Sequence, residues 1–492
     1  MVCAAGVYRT LGNTASKRLS SRLERYFSKL RHPTPNSKSL AHYSMGIIYD
    51  NEGKPKKAIA EFAKAISHDP GISYIHTRLA ADYIVIKEET KAIEELKKAK
   101  RLDPSDSRPR FLLALIYTVS HKFKDAQKEY EEVVRSSPGS IRALSSLADL
   151  LVLQEKLNEA ASAYEKLLEK EGLDPELHLN LGVIYSRMGK PGPALAEFEK
   201  AMKLNTDYLE AFIGAGIMYE VNGDEAGAIR CYEKAIRLDP ENTAAYHLLG
   251  DLYYRLGKSE EAAGHYKRVT GLDPRDPKAY VGLANVYLAG KNTKEAIPLL
   301  EKAVRSGLKY GGIHLSLGYA YKLDGRNDEA LNNFVTASQM DPDDASAHYY
   351  LGTIYEELGK KELSIKEFME TIRLDPEYAE AYNSLGYLYA EDGINLDEAI
   401  ILIKKAIELA PDEGAYIDSL GWAYYKNGNT DEAIVELEKA VSLEPGEAEI
   451  REHLADAYFR KGMTDKARAE WLKSLELSPG QTGIKEKLEN TR

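Results

Sequence analysis

Aromatic and acidic side chains recur together in the last third of the chain, at intervals that place them on one face of successive helices. Aromatic rings give a large contact area at a low cost in entropy, and carboxylates attract cationic partners and set their orientation. These residue types therefore predict a surface that binds a segment carrying basic and apolar side chains. The set is Tyr349, Glu356, Glu380, Asn383, Tyr387, Asp418, Trp422, Tyr425, Glu449, Glu452, Asp456 and Phe459.

Residues capable of catalysis or metal binding do not form a recognisable site. The stretch Gly257-Lys258-Ser259 resembles the end of a phosphate-binding loop, but Leu252 stands where such a loop needs a glycine. No His or Cys pair has the spacing of a zinc site. No Ser, Cys or Lys has a nearby base at the spacing of an activated nucleophile. The sequence therefore predicts a protein that is not an enzyme and that holds no cofactor and no metal.

The elements that carry these side chains follow from a 34-residue period, repeated thirteen times between Ser39 and Gln481. Counted from Ser39, the eighth position is always Gly or Ala, and the eleventh is Tyr in twelve copies, with Leu151 as the exception. The twentieth is Ala in all copies but one, where Ser364 stands, and the thirty-second is Pro in ten copies. A period of this length predicts stacked repeats rather than one compact globule.

Each copy contains two blocks of apolar residues at helical spacing. In the first copy the blocks are separated by a turn containing Gly53, which is suited to a left-handed cap, and Pro70 ends the second block. The pattern predicts helix, turn, helix, turn. The Gly or Ala of the eighth position marks the place where the two helices approach closely. We expect the Tyr to be mostly buried, with its hydroxyl reaching a polar partner at the edge.

This arrangement of small residue, Tyr, Ala and Pro resembles the tetratricopeptide repeat family, over about nine-tenths of the chain. The resemblance implies an all-α fold, a right-handed α-solenoid of about 13 antiparallel helix pairs whose first helices line a concave groove. Members of the family are mostly scaffolds that bind peptides or other protein segments in that groove. The twelve acidic, aromatic and amide residues named above occupy first-helix positions that face away from the packing contact. The Lys and Asn set with which chaperone-binding relatives hold a terminal carboxylate is absent.

Three regions differ in composition. Residues 1–38 form a basic arm with eight Lys or Arg and one Glu, so the rest of the chain carries a net charge of −18. Residues 39–481 hold the thirteen repeats, and residues 482–492 are predicted to form a C-terminal capping helix. Within the arm, Ser16 to Arg31 is predicted to be a basic amphipathic helix. Three roles stay open for it: a cap on the first repeat, a helix that docks on a membrane surface or partner, or a transit peptide.

Composition also bears on location and partners. No apolar run approaches the ~20 residues that a membrane-spanning helix needs. An acidic array argues against nucleic acid, whose phosphates require a basic track. The sequence as written predicts a cytoplasmic protein. The alternative is the cell envelope or periplasm, should the start codon be mis-assigned, because Cys3 and the small residues after it resemble the start of a mature bacterial lipoprotein.

Two functions are compatible with these observations. The first is a non-enzymatic scaffold that binds protein or peptide segments, basic and apolar in character, in a superhelical groove. The second is an envelope-associated assembly or trafficking factor attached to a membrane surface through residues 16–31. The second function is suggested by the last three repeats, which resemble the C-terminal ends of bacterial repeat proteins, several of them linked to the cell envelope. The residues that carry this resemblance are Ser384–Tyr387, Gly414–Trp422 and Ala469–Trp471.

Overall fold

The computed structural model describes residues 35–489, and the predicted helix pairs are confirmed. This part of the chain forms 27 helices, thirteen antiparallel pairs followed by one short helix, and contains no strand. The predicted arm, with its helix from Ser16 to Arg31, lies outside the described residues. The chain divides into two compact units, the first ending at Pro240 and the second beginning at Glu241.

The first unit holds repeats 1 to 6. Its helices are α1 (Ser37–Asn51), α2 (Pro55–His68), α3 (Ser73–Val85), α4 (Glu89–Leu102), α5 (Ser107–Val119), α6 (Phe123–Ser136), α7 (Ile141–Leu153), α8 (Leu157–Leu168), α9 (Pro175–Arg187), α10 (Pro191–Leu204), α11 (Leu209–Val221) and α12 (Glu225–Leu238). In each pair the odd-numbered helix is the first helix of the repeat.

The second unit holds repeats 7 to 13 and the terminal helix. Its helices are α13 (Thr243–Arg255), α14 (Ser259–Leu272), α15 (Pro277–Ala289), α16 (Thr293–Arg305), α17 (Gly311–Leu323), α18 (Asn327–Met340), α19 (Ala345–Glu357), α20 (Lys361–Leu374), α21 (Ala379–Asp392), α22 (Leu396–Leu409), α23 (Gly414–Lys426), α24 (Thr430–Leu443), α25 (Ala448–Arg460), α26 (Thr464–Leu477) and α27 (Thr482–Glu489). The last helix occupies the predicted capping segment, and its Ile484 is fully buried.

The eighth position of the repeat is small because a side chain of the second helix lies directly on it. A Cβ added to Gly352 would come within 2.5 Å of the Phe368 ring, and one added to Gly182 within 2.7 Å of the Phe198 ring. Phe368 is 0% exposed. The same pairing occurs with an aliphatic partner in the repeat where Ala80 and Leu96 take these places. Each helix pair is thus held by one large side chain packed against a position without bulk.

The Tyr of the eleventh position reaches a polar partner with its hydroxyl, as predicted, and that partner belongs to the neighbouring repeat. The hydroxyl of Tyr185 donates to Glu165 Oε1 at 2.6 Å, and that of Tyr219 donates to Glu199 Oε1 at 2.7 Å. In both cases the acceptor lies on the second helix of the preceding repeat, 20 residues earlier. The ring contributes apolar contact while the hydroxyl satisfies a carboxylate at the edge of the core.

Polar pairs form a second recurrent link, which the sequence did not lead us to expect. They join the fourth position of the repeat, on its first helix, to the second helix of the same repeat. Their N–O distances run from 2.5 Å in one pair to 3.3 Å in another. In one further repeat the same positions hold His314 and Asn333, joined at 2.9 Å, and in another they are the apolar Phe212 and Cys231. The pairs are His42–Glu61, His76–Glu95, Arg110–Glu129, His178–Glu197, His348–Glu367 and Arg451–Glu470.

First helices of successive repeats also contact one another within the second unit. Helix α21 packs against α23, and α23 against α25, whereas successive second helices of this unit are not in comparable contact. The predicted extra residue near Gly393 lengthens the turn after α21, where Gly393 and Asn395 both adopt left-handed backbone conformations, with φ of 65° and 47°. The first helices of repeats 11 to 13 therefore form one surface of the unit. No helix within residues 35–489 is long and apolar enough to cross a membrane.

Candidate binding surface on the first helices of repeats 10 to 13

The twelve predicted residues lie on four first helices of the second unit, and we refer to them as the acidic–aromatic surface. Helix α19 carries Tyr349 and Glu356. Helix α21 carries Glu380, Asn383 and Tyr387. Helix α23 carries Asp418, Trp422 and Tyr425, and helix α25 carries Glu449, Glu452, Asp456 and Phe459. Their contacts divide the surface into a central network, a C-terminal part that is paired internally, and an N-terminal part around Glu380.

Trp422 is the centre of the network and is only 9% exposed. Its Nε1 donates to Glu391 Oε2 at 2.7 Å. The indole stacks on Tyr425 with centroids 4.9 Å apart and on His453 with centroids 4.1 Å apart. Trp422 therefore stabilises the contact between α23 and α25 and offers little area to a partner.

His453 is part of this network although the sequence pattern did not select it. Its Nδ1 lies 3.0 Å from both carboxylate oxygens of Asp418, and the His453 and Asp418 residues are 6% exposed each. Burial lowers the pKa of His453, but the hydrogen bond and the charge of Asp418 raise it more, so the pKa stands above its ordinary value. The two residues are 35 positions apart, which is the length of one repeat plus one residue. That spacing is the signal that could have identified the pair.

Tyr387 connects helices that are two repeats apart. Its hydroxyl donates to Glu449 Oε1 at 3.2 Å, between residues separated by 62 positions. Burial, followed by the charges of Glu449 and Glu391, raises the pKa of Tyr387 well above its ordinary value, so the phenol stays protonated. Since α23 lies between α21 and α25, this bond holds the three helices together across the surface. Glu449 itself is exposed.

The C-terminal part of the surface is already occupied by side chains of the chain itself. Lys487 of α27 places its Nζ 2.9 Å from Glu452 Oε1 and 2.7 Å from Asp456 Oδ2. Asp456 also accepts from Trp471 Nε1 at 2.9 Å. We had expected these carboxylates to steer a partner. Because both carboxylates bind the same internal cation, they contribute to the attachment of the capping helix.

Tyr425 and Phe459 are the aromatic residues at the edge of this part. The guanidinium carbon of Arg460 lies 3.3 Å from the centroid of the Tyr425 ring, which is the geometry of a cation–π contact. Phe459 is 48% exposed, and one side of its ring contacts Trp471 at a centroid distance of 5.4 Å. Phe459 is therefore the most accessible apolar group that the prediction named.

The N-terminal part of the surface centres on tyrosine rings. The centroid of Tyr349 lies 5.5 Å from that of Tyr350 and 5.0 Å from that of Tyr378. Burial raises the pKa of Tyr349, and the charges of Glu380 and Glu356 add to this effect. Glu380 is exposed. Asn383, one turn further along α21, has a side-chain oxygen that is buried and has no hydrogen-bond partner among the described residues.

Glu356 lies at the edge of this part and is half-buried. Burial raises its pKa, the neighbouring Glu357 raises it further, and Lys322 opposes the shift. Lys322 forms its ion pair with Glu357, at 2.9 Å. The structure thus brings Glu356 near charged neighbours, but no cation of residues 35–489 forms an ion pair with it.

Family models match most of the described chain. Models described as tetratricopeptide repeat match residues 40–71, 247–307, 345–378, 379–413 and 419–482, and one described as TPR repeat matches residues 221–257 and 318–359. A model described as TT21 fifth ARM repeats domain matches residues 108–213. No enzyme family is among these models. No curated protein matches the sequence.

Solved structures with a similar arrangement include the APC/C hetero-tetramer Cut9–Hcn1, at 16% identity and a TM-score of 0.47, covering 92% of this chain and 96% of that one. Naa15/Naa10 bound to HypK-THB matches at 16% identity and a TM-score of 0.41, covering 92% and 70%. TTC0263, a thermophilic TPR protein of Thermus thermophilus, matches at 26% identity and a TM-score of 0.33, covering 37% and 98%.

The tetratricopeptide repeat models match the first repeat and nearly all of residues 221–482, which together make up more than half of the chain. The geometry agrees with them, since each repeat is an antiparallel helix pair packed through a small residue and a large one. The chain is therefore a tetratricopeptide repeat protein.

Proposed function

We propose that this tetratricopeptide repeat protein is a non-enzymatic scaffold whose acidic–aromatic surface binds a segment of another protein that carries basic and apolar side chains. The observation that carries the proposal is the exposure of Glu380, Glu449 and Phe459 on the first-helix surface of the second unit. Exposed carboxylates beside aromatic rings are suited to a partner that is cationic and partly apolar.

The surface is also preorganised. Tyr387 is held by its hydrogen bond to Glu449, and Trp422 by its bond to Glu391 and by its two stacking contacts. A partner that lies across these helices does not have to order them. Since the ordering of side chains is one of the costs of association, a surface fixed in advance binds more tightly for the same contact area.

The internal contacts of the same surface support the chemistry of the proposed partner. Lys487 binds between Glu452 and Asp456, and Arg460 lies on Tyr425. Both are cationic side chains on acidic or aromatic groups of these helices. A basic segment of a partner would make the same kinds of contact at the carboxylates that remain exposed.

The proposal is tested by selecting binders from a random peptide library displayed on phage, with the full-length protein as the target. We expect the wild type to enrich peptides that contain Lys or Arg next to apolar residues. The double variant Glu380→Lys/Glu449→Lys should lose these peptides, because it places like charges against the cationic side chains. A matched control, Glu260→Lys/Glu261→Lys, reverses two exposed charges on α14, far along the sequence from the surface.

The control variant should select the same peptides as the wild type. If both variants lose the peptides equally, the effect is one of net charge and the surface is not the binding site. If neither variant loses them, the partner binds elsewhere on the chain. The alternative function, an assembly factor held at a membrane surface by residues 16–31, depends on a segment outside the described residues and stays a prediction.

A further inference from the structure

Helix α1 has an apolar face that is exposed in the described part of the chain. Met45, at the seventh position of the repeat, is 40% exposed, and Ile48, at the tenth, is 44% exposed. The two residues are three apart, so they lie on the same face of α1. In the twelve later repeats the seventh position is at most 8% exposed, and the tenth is buried as well. The difference comes from what precedes each first helix.

In the later repeats this face is covered by the second helix of the repeat before, as α2 packs on α3. A large side chain at the twenty-fourth position of the second helix reaches the sixth position of the next first helix. A Cβ added to Gly214 would lie 2.8 Å from the ring of Phe198, and one added to Gly282 would lie 2.5 Å from the ring of Tyr266. Among residues 35–489 no helix precedes α1, so Ser44, at its sixth position, lacks this neighbour.

The sequence before α1 has the spacing of a second helix. In the first repeat the twentieth, twenty-fourth, twenty-seventh and thirty-second positions are Ala58, Phe62, Ala65 and Pro70. The same intervals of four, three and five residues separate Leu23, Phe27, Leu30 and Pro35. Intervals of three and four place the three apolar side chains on one helical face. In this register Phe27 corresponds to Phe62, whose ring is fully buried.

The segment lacks the first helix that would complete a repeat. Leu11 and Thr14 stand where the small residue of the eighth position and the Tyr of the eleventh would be. In complete repeats the twentieth position lies against the first helix of the same repeat, since a Cβ added to Gly386 would come within 3.0 Å of the Ala399 carbonyl oxygen. Without that helix the position has room for Leu23, where the thirteen repeats have Ala or Ser.

The length of the connection limits where this segment can lie. Asn36 is fixed at the end of α2, because its Nδ2 donates to the carbonyl oxygen of His68 at 2.8 Å. Five Cα–Cα steps lead from Asn36 back to Arg31, so Arg31 lies within ~18 Å of this point. A helix from Ser16 to Arg31 would be ~24 Å long, and α1, with 15 residues, is ~22 Å long. An antiparallel helix that starts near this point therefore matches α1 in length.

We propose that residues 16–31 form the second helix of an incomplete N-terminal repeat and pack on the exposed face of α1. The apolar side chains of Leu23, Phe27 and Leu30 cover the seventh and tenth positions of the first repeat. The ring of Phe27 lies on Ser44, as the corresponding rings of later repeats lie on the sixth position of the next first helix.

The apolar face of residues 16–31 can be buried only once. A face that covers α1 is not available to a membrane surface, and the basic side chains of Arg18, Arg22 and Lys29 remain in water. The sign of the charge favours the contact, because residues 1–38 carry eight Lys or Arg and one Glu while the rest of the chain is acidic.

The test is hydrogen exchange, measured by mass spectrometry on the full-length protein without lipid. Phe27→Gln and Met45→Gln each remove one side of the contact. Arg25→Gln and Ala63→Gln are the matched controls, the first on the opposite side of the predicted helix and the second at an exposed position of α2. Met45 and Ala63 are both exposed in the described part of the chain, so both variants should keep the first repeat folded.

In the wild type, residues 16–31 should exchange about a hundredfold more slowly than an unfolded segment, because their apolar face is buried. Phe27→Gln and Met45→Gln should each speed this exchange about tenfold or more, since each removes one apolar side chain from the contact. The two controls should leave the rates as in the wild type. Met45→Gln is the decisive variant, because it lies outside the segment whose exchange is measured.

Three results would overturn the proposal. If residues 16–31 are unprotected without lipid, they do not pack on α1, and protection gained with vesicles of anionic phospholipid would assign them to a membrane surface. If they are protected but Met45→Gln leaves their exchange unchanged, the exposed face of α1 is not their contact. If the protection is lost on dilution together with a fall in molar mass measured by light scattering, a second copy of the chain provides the contact.

Discussion

Replacing Gly352 by Ala tests the packing that holds each repeat together. The new Cβ would lie 2.5 Å from one ring carbon of Phe368, 2.6 Å from a second and 3.1 Å from a third. Phe368 is fully buried on α20, so its ring cannot move into solvent. Overpacking of this kind costs about 1–3 kcal/mol. Against this, Ala is favoured over Gly in a helix interior by about 1 kcal/mol. The net expectation is a loss of about 1 kcal/mol.

A matched control isolates the contact from the helix propensity. Gly264 lies inside α14, and a Cβ there would meet nothing within 4 Å. Gly264→Ala should therefore stabilise the protein by up to about 1 kcal/mol, through propensity alone. The double variant Gly352→Ala/Phe368→Leu should recover part of the loss. That combination already occurs naturally in the repeats where Ala80 faces Leu96 and Ala284 faces Leu300.

Hydrogen exchange measured by mass spectrometry on the full-length protein is the suitable assay, because a solenoid opens locally and each repeat depends mainly on its neighbours. Gly352→Ala should speed exchange in α19, α20 and the adjacent helices and leave the first unit unchanged. Gly264→Ala should slow exchange in α14. If Gly352→Ala slows exchange as Gly264→Ala does, the Phe368 contact does not limit the size of this position, and the reasoning is refuted.

Three further predictions concern the acidic–aromatic surface. The pKa of His453 is raised in the folded state. Its pair with Asp418 therefore stabilises the folded state fully at pH values below the unfolded pKa of about 6.5, and this stabilisation is lost as the pH rises through the pKa of the folded state. The difference in urea midpoint between wild type and His453→Gln should accordingly shrink from pH 5.5 to pH 8.5, and a constant difference would contradict it. Trp422→Ala should lower the free energy of unfolding by about 3 kcal/mol or more, as for a core aromatic residue. A change smaller than about 0.5 kcal/mol, which is typical of surface sites, would mean that this ring is not structural. Lys487→Ala should cost about 1 kcal/mol or less, since its ion pairs are partly exposed. It should also speed hydrogen exchange in α27, whereas unchanged exchange there would show that Ile484 alone attaches this helix.

Much of the fold followed from the sequence because the repeat encodes it locally. The Gly or Ala of the eighth position, the Tyr of the eleventh and the Pro of the thirty-second each have a short-range physical reason, and together they predicted thirteen helix pairs with their turns. Gly53 has the left-handed backbone that the turn requires, with φ of 68°. The hydroxyl of Tyr185 donates a hydrogen bond to Glu165 of the previous repeat. Because every copy has similar residues at the same positions, the same packing contacts form in each repeat along the chain.

The periodic frame also placed the twelve candidate residues on first helices, but it could not say which of them would be covered. Trp422 is buried because His453, on the first helix of the next repeat, stacks on it. Glu452 and Asp456 are both paired with Lys487, which belongs to a helix outside the repeat pattern. These contacts join residues 31 to 35 positions apart, and the bond from Tyr387 to Glu449 spans 62.

The sequence by itself thus determined the type of element, its period and the side of the helix on which each side chain lies. Only the tertiary structure decided which carboxylates are paired and which stay exposed. The reason is that the reach of a side chain across neighbouring repeats depends on how those repeats pack, including the extra residue near Gly393. Burial and pairing are properties of the assembled surface, whereas helical periodicity is a property of the chain.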